Sequence, residues 1–380
     1  MKRIFALLLG AALLFAGCGG SSSSSAPTGA ASTQTAAADS ASAAPDPTGE
    51  PTPVPTPTTA PVQPLTGEPW TGAITRPVAV MIDNSVYAQT QWGLADAQLV
   101  MEALTEGKNT NLCLWYSTVD GVPKVGPVSE GKDLFWQFAI PQNAIPVQKG
   151  ANTYAANLLG YYSWPAVDAL VAGVNSFDYD GTLPYGTADN YRWFTRGSSL
   201  RNSFAALGIA ETGVLPQLLR FGKAEGGTAG AARVEVLYSA DRSTVLQYDP
   251  ATGLWGMLRS DGTPQTDANT GAQAAFTNLL LLKCAVQVKD DKFTREYDLS
   301  GGTGWYLTGD RWQPVTWQKG GVSQQLVVYG ADGAELTVNP GRSYVGVYGV
   351  PGQQVTVTGA DGAALQTDPC DGTVAYDQAG

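Results

Sequence analysis

Glu102 and Glu106 stand four residues apart, with Asp96 a short way upstream. On a helix the two glutamates share one face, and Asp96 lies about one and a half turns earlier. Carboxylates gathered in this way have two chemistries open to them. Environments that push their pKa values apart let them divide acid and base work, as in glycoside hydrolysis. The same oxygens can hold a hard divalent cation such as Ca²⁺ or Mg²⁺. A solvated helix face shows the same pattern and does no chemistry. Asp83-Asn84 closes the apolar run Val78 to Ile82. Ligands bind at the carboxyl ends of strands in open α/β sheets, so the pair is a candidate site; Asp and Asn also build turns. Arg192 and Arg196 lie in the aromatic stretch Tyr191 to Arg196. Guanidinium groups there can grip a carboxylate or phosphate, pair with Glu102 or Glu106, or pack on the surface. Trp305, Tyr306, Trp312 and Trp317 can stack on sugar rings, but strands are rich in aromatics and core packing is the simpler reading.

The chain has no histidine. Ser-His-Asp and Cys-His nucleophile arrangements, His-containing zinc sites and imidazole pH switches are therefore excluded within it. The net charge is −11. That balance disfavours nucleic acid, whose binding needs Lys and Arg to neutralise phosphates, and disfavours bulk adhesion to anionic surfaces. Cys113, Cys284 and Cys370 are too widely spaced for a CxxC metal or redox motif. Cys113 and Cys284 sit in apolar runs and read as buried small hydrophobes, whereas Cys370, near a polar terminus, is the more exposed candidate.

Lys2-Arg3, the apolar stretch Ile4 to Phe15 and the small residues before Cys18 describe a secretory signal. Ala16-Gly17-Cys18 is similar to a bacterial lipobox, with Phe15 where Leu is more usual. The expectation is cleavage of residues 1–17 and lipidation of Cys18, giving an outward-facing, membrane-anchored protein. Removing Lys2 and Arg3 leaves 20 basic against 33 acidic side chains, a net of −13. Residues 18–64 then form a Ser/Ala/Pro-rich tether that cannot bury enough apolar surface to order itself. Its proline-rich half favours polyproline II and a semi-rigid spacer.

A folded body is expected from Leu65. Apolar runs at 78–82, 112–116 and 144–148 read as strands, and residues 94–104, 129–139, 151–159 and 198–207 read as helices. This alternation predicts an N-terminal α/β domain over 65–221 with a largely parallel sheet. The Gly-rich stretch 222–232 reads as a hinge. Short apolar runs punctuated by Asp-Gly at 261–262, 332–333 and 361–362 predict an all-β domain over 233–350, with an extra hairpin and tail at 351–380. GADGAEL (330–336) and GADGAAL (359–365) echo each other and read as two similar hairpins. The whole is α+β.

Several short motifs occur in a particular order. They include Leu65-Thr66-Gly67, Arg76 through Asn84, Gln91-Trp92-Gly93-Leu94, Ala95-Asp96, Glu102, Glu106-Gly107 and Gly126-Pro127-Val128. Tyr248-Asp249, Arg259-Ser260-Asp261-Gly262, Asp267, Thr270-Gly271, Gly304, Trp317-Gln318-Lys319 and Pro340-Gly341-Arg342 follow. The series, from Leu65 to about Val350, resembles the YerB-like family of bacterial lipoproteins. The resemblance implies a two-domain architecture and a place at the membrane, and implies no particular chemistry. Where the family shows Thr-Arg, this chain has Thr110-Asn111; where it shows Arg-Ser-Ala-Arg, this chain has Ser129-Glu130-Gly131-Lys132. Family histidines fall near Asn202 and Gln265. The typical member thus gathers guanidinium groups and an imidazole, a set suited to an anionic ligand. Here either the ligand differs or the site is degenerate.

These readings combine into one expectation. An envelope lipoprotein binds a cell-envelope ligand or partner protein through Asp83, Asn84, Asp96, Glu102 and Glu106, with Arg192 and Arg196 opposite. It needs no cofactor, unless a divalent cation sits on Asp96, Glu102 and Glu106. The alternative is a carboxylate-dependent cell-wall glycan hydrolase using Glu102 or Glu106 with Asp96 or Asp83.

Overall fold

The computed structural model describes residues 61–371 except 89, 172, 173, 185, 186, 225 and 291–293. The expected signal, Cys18 and nearly all of the tether lie outside the described residues, as does the tail from 372. In the first half the strands are β1 (Val78–Asp83), β2 (Leu99–Ala103), β3 (Asn111–Tyr116), β4 (Ile145–Gln148), β5 (Val167–Asp168), β6 (Phe177–Tyr179), β7 (Trp193–Thr195) and β8 (Arg220–Phe221). Helices α1 (Asp133–Ala139), α2 (Thr153–Tyr161) and α3 (Gly197–Leu207) lie among them. The second half holds β9 (Ala231–Ser239), β10 (Arg242–Asp249), β11 (Leu254–Leu258), β12 (Ala275–Phe276), β13 (Asn278–Lys283), β14 (Val286–Val288) and β15 (Arg295–Tyr297). It ends with β16 (Gly302–Thr308), β17 (Arg311–Gln318), β18 (Val327–Tyr329), β19 (Thr337–Val338), β20 (Ser343–Tyr348), β21 (Gln354–Gly359) and β22 (Ala364–Pro369).

Two sheets carry the architecture. One has ten strands in the order β18-β17-β16-β13-β20-β2-β3-β1-β4-β5, the other six in the order β12-β11-β10-β9-β21-β22. Strand alternation sorts the side chains of the larger sheet. Val78, Val80, Val100, Leu112, Leu114 and Tyr344 face one core, shared with Val234, Leu246 and Met257 of the smaller sheet. Ala79, Met81, Met101, Trp115 and Val345 face the opposite core, closed by Leu134, Phe135, Phe138 and Leu159 of α1 and α2. Leu200 and Phe204 of α3 cover an end of the first core. The layers are therefore helices, large sheet, small sheet. Among the described residues no helix is long and apolar enough to cross a membrane.

The N-terminal half is not a largely parallel α/β domain. β4 runs parallel to β1, but β3 is antiparallel to both β1 and β2. The expected helix at 94–104 is the cause. Its central residues form β2, and residues 104–110 turn directly into β3. A strand buried on both faces reads as an unbroken apolar run, which helical spacing fits equally well. Nor is the stretch 222–232 a hinge between separate bodies: β20 lies between β2 and β13, parallel to both, so one sheet runs through both halves. All described residues fall in one compact unit. The two echoing heptads are alike in structure. Gly330 and Gly359 each donate to a residue four further on at 2.9 Å, with Gly333 and Gly362 at φ 76° and 82°. All three described cysteines are free and buried, so Cys370 is not the exposed thiol expected. Its backbone pairs with Gly352 and Gln353, which tucks it under the 350–353 turn. Tyr306 and Trp317 are core residues, and Trp305 and Trp312 pack together at 5.4 Å against the core.

Candidate functional site

Glu102 shares the parity of Val100 on β2, so its side chain points between the two sheets, where it is fully buried. Both halves of the chain supply its donors. Oε1 accepts from Asn84 Nδ2 (2.9 Å), Thr110 Oγ1 (2.5 Å) and Thr244 Oγ1 (3.0 Å). Oε2 accepts from Thr244 Oγ1 (2.9 Å) and Tyr344 Oη (2.8 Å), and the Tyr344 and Tyr238 hydroxyls lie 2.9 Å apart. Burial, then the neighbouring Glu102 carboxylate, pushes both phenols well above the ordinary tyrosine range, so both stay neutral donors. Asn84 extends the network. Its Oδ1 accepts from Gln91 Nε2 and Gln265 Nε2, both at 3.1 Å. Gln265 Nε2 also reaches Gln91 Oε1 at 2.7 Å. Every donor to Glu102 is neutral, and the carboxylate has no route to water.

Asp83, one residue before Asn84, turns the other way. Its Oδ1 accepts from the Ser85 amide at 2.7 Å and shapes the turn after β1. The same residue lines a cleft of about 200 Å³ with Glu106, Asn111, Ser129, Glu130, Lys132, Lys149 and Asn190. The ladder explains the gathering: Asp83 is paired with Asn111, and Ser129 donates its amide to Met81. Lys132 Nζ, almost wholly buried, donates to Glu106 Oε1 at 2.5 Å and to Glu130. Burial pulls its pKa down, but the Glu106 and Glu130 carboxylates outweigh that and the net shift is upward. Lys149 Nζ reaches Asn190 Oδ1 at 3.4 Å. Exposed Tyr87, four residues after Asp83, packs 6.3 Å from Tyr191, the chain neighbour of Asn190.

The structure thus brings Asp83 together with Glu106, and Asn84 with Glu102. It separates the others. Asp96 is not on a helix with the glutamates; it is exposed in the turn before β2. Its pKa is raised by partial burial and then by the Asp267 carboxylate, with Arg342 opposing. Arg192 pairs with neither glutamate. Its guanidinium donates to the carbonyls of Asp180, Leu183, Pro184 and Thr187 at 2.9–3.2 Å, and so ties these four residues together. Arg196 is exposed, its guanidinium 5.2 Å from the Phe194 ring, just before α3. Among the described residues no three Cys, Asp or Glu side chains are placed to hold a metal ion, so Asp96, Glu102 and Glu106 form no shared cation set. Of the acids in the hydrolase alternative, Glu102 is sealed and Asp96 lies apart, while Asp83 and Glu106 line the same cleft.

Thr244 and Tyr344 carry no sequence signal as site residues, because nothing local marks a partner that arrives from the other half of the chain. Lys132, Asn111 and Gln265 do carry one. The resemblance implies departures from the family pattern at Lys132 and Asn111 and near Gln265; the first two line the cleft and Gln265 joins the network behind it.

The fold and this site define a β-rich body in which a C-terminal strand completes an N-terminal sheet around a buried polar centre. Residues 65–209 match the N-terminal domain, and residues 234–345 the C-terminal domain, of the family described as Protein of unknown function (DUF3048). The chain is 27% identical over 300 residues to YerB of Bacillus subtilis (strain 168), a protein named as a lipoprotein, covering 75% of this chain and 85% of that one. The crystal structure of YerB from Bacillus subtilis matches with a TM-score of 0.65 and 24% identity, over 76% of this chain and 96% of that chain. The chain belongs to the YerB-like two-domain family.

Proposed function

We propose that this protein is an outward-facing lipoprotein, anchored through Cys18, that binds a hydroxyl-rich cell-envelope ligand in the cleft at the end of β1 and does not transform it. The observation that carries the reading is the composition of the cleft. Asp83, Glu106 and Glu130 supply acceptors, Lys132 and Lys149 supply donors, and Asn111 and Asn190 supply both. The exposed Tyr87, packed on Tyr191 next to the cleft residue Asn190 in the chain, adds an apolar face of the kind that stacks on a sugar ring. Convergent polar groups beneath an aromatic rim are the usual build of a recognition site for a small polar ligand. The lipoprotein name of the Bacillus relative supports the anchor.

Co-sedimentation of the full chain with purified peptidoglycan tests the binding. Wild type is expected to pellet with the glycan, and Asp83→Asn combined with Tyr87→Ala to remain largely in solution. Equal pelleting of the two would remove the cleft from the function, and failure of the wild type to pellet would remove the ligand class. Cys18→Ser tests the anchor separately: membrane fractionation is expected to release the variant, and its retention would refute lipidation.

A further inference from the structure

The two sheets do not match in extent. Trp305 on β16 pairs with Pro314 on β17, Thr303 pairs with Thr316, and Thr316 in turn pairs with Tyr329 on β18. Paired residues share a face, so these side chains lie on the side of the large sheet that carries Leu307, the side packed on the smaller sheet. The smaller sheet covers that side only in part. Its last strand, β22, reaches Trp305 through Asp368. Leu307 is buried and Trp305 half-buried, whereas Thr303, Pro314 and Thr316 are exposed. On the opposite side of the same two strands Tyr306, Val315 and Trp317 are all buried.

The step between the sheets is a cleft of about 360 Å³, within the range of small-ligand sites. Trp305, Pro314, Thr303 and Thr316 floor it, Asp368 stands on one side, and the turn at 330–333 on another. The indole of Trp305 is fixed in place: its Nε1 donates to Asp368 Oδ2 at 3.1 Å, and Trp312 packs 5.4 Å away. Asp368 is fixed as well. Its Oδ1 accepts from Lys283 Nζ at 2.6 Å and its Oδ2 from Tyr348 Oη at 2.8 Å. Oδ1 keeps a lone pair for a further donor.

Among the described residues Asp368 is the one charged side chain lining the cleft, and the Lys283 ammonium balances it. The cleft therefore has no spare charge for an ionic ligand. Protein partners call for a broad aromatic, aliphatic or guanidinium centre. Here one indole and one proline ring are bordered by two hydroxyls, a carboxylate and glycine main chain. Flat apolar rings edged by hydrogen-bonding groups match a pyranose, whose faces are apolar and whose rim is hydroxyl. We propose that this cleft binds an uncharged saccharide, with one sugar ring stacked over Trp305 and Pro314 and its hydroxyls bonded to Asp368, Thr303 and Thr316. The site is separate from the cleft at the end of β1 and does not require that cleft to be occupied.

Calorimetric titration of the full chain with two uncharged disaccharides, cellobiose and N,N′-diacetylchitobiose, tests the assignment. Saturable binding of at least one is expected. Thr316→Arg alters an exposed side chain and fills the floor of the cleft, and Trp305→Leu removes the indole. Each is expected to weaken binding about tenfold or more, and Trp305→Phe, which keeps a ring, to recover part of the loss. Asp83→Asn combined with Tyr87→Ala, altered only at the other cleft, is expected to bind as wild type does. Absence of saturable binding of both sugars by the wild type would overturn the proposal. So would an unchanged affinity in Thr316→Arg, which leaves every buried contact in place and decides the matter if Trp305→Leu fails to fold. Binding lost in the Asp83, Tyr87 double variant but kept in Thr316→Arg would assign the sugar to the β1 cleft and overturn the proposal equally.

Discussion

Glu102 offers the sharpest test of how the two halves are joined. Glu102→Leu keeps roughly the volume and removes the acceptor shared by Thr110, Thr244 and Tyr344. Tyr344 keeps Tyr238 as a partner and Asn84 keeps Thr110, so the groups left stranded are chiefly the Thr110 and Thr244 hydroxyls. At about 1–3 kcal/mol for each stranded buried group, the expected loss is about 2–6 kcal/mol. Glu102→Gln keeps one acceptor oxygen and turns the other into a donor that the Thr244 and Tyr344 hydroxyls can rotate to accept. It forfeits the charge assistance, about 1–3 kcal/mol in all. For a body of about 310 residues the unfolding entropy is about 0.65 kcal/mol per kelvin. The two variants are then expected to melt about 3–9 °C and about 2–5 °C below wild type in a scanning calorimeter. Thr244→Val combined with each should be non-additive, since Thr244 meets both carboxylate oxygens. The opposite result is physically possible, because buried charges replaced by apolar groups sometimes stabilise. Glu102→Leu melting at or above the Glu102→Gln temperature would refute the reasoning.

Lys319 is buried, donates to the Gly321 carbonyl at 3.1 Å, and burial pushes its pKa from 10.5 down to about 8. Between those values the unfolded chain binds more protons than the folded one, so this residue makes stability rise with pH from about 8 to about 10.5. Lys319→Met is expected to be more stable than wild type near pH 7, by up to about 3 kcal/mol, and to lose the rise; urea titrations of both proteins at pH 7 and pH 10 check this, and parallel curves would contradict it. Gly304 sits inside β16, where a Cβ would collide with the Leu281 carbonyl oxygen of β13. Gly304→Ala is expected to cost about 1–3 kcal/mol of unfolding free energy, and an unchanged urea midpoint would show that the strands can move apart.

Much of the fold was legible where the local pattern has one meaning. The runs 78–82 and 112–116 are β1 and β3, residues 151–159 and 198–207 lie in or against α2 and α3, and the Asp-Gly pairs mark hairpins. Leu94, Ala97, Val100, Met101 and Leu104 misled because a doubly buried strand satisfies helical spacing as well as its own. That single misreading also moved the site. On a helix Glu102 and Glu106 share a face; on β2 and the loop after it they diverge, one into the layer between the sheets and the other into the cleft. At Asp83-Asn84 the turn reading is seen in Asp83, which accepts from the Ser85 amide and lines the cleft, while Asn84 belongs to the buried network. What no local pattern encodes is pairing at a distance. β2 lies beside β20, more than 200 residues on, and Glu102 takes donors from both β10 and β20.

That distance gives the buried acid a structural reason to exist. β2 is apolar on both faces apart from Glu102, so hydrophobicity alone sets its register poorly: a slip of one residue exchanges one set of apolar side chains for another. With Glu102 present, the slip would carry a carboxylate to the face covered by α1 and α2, away from Asn84, Thr110, Thr244 and Tyr344, and leave those groups without it. The penalty for such a slip exceeds anything the apolar contacts regain, because a buried charge without donors costs far more than a displaced methyl group. The same contact fixes the cleft. Asn84 is held by Glu102 on one side and by Gln91 and Gln265 on the other, and Asp83 precedes it by one peptide bond. A side chain that locks the central strand to the C-terminal half therefore also aims the carboxylate at the end of β1, so the cleft takes its shape only when both halves of the chain are in register.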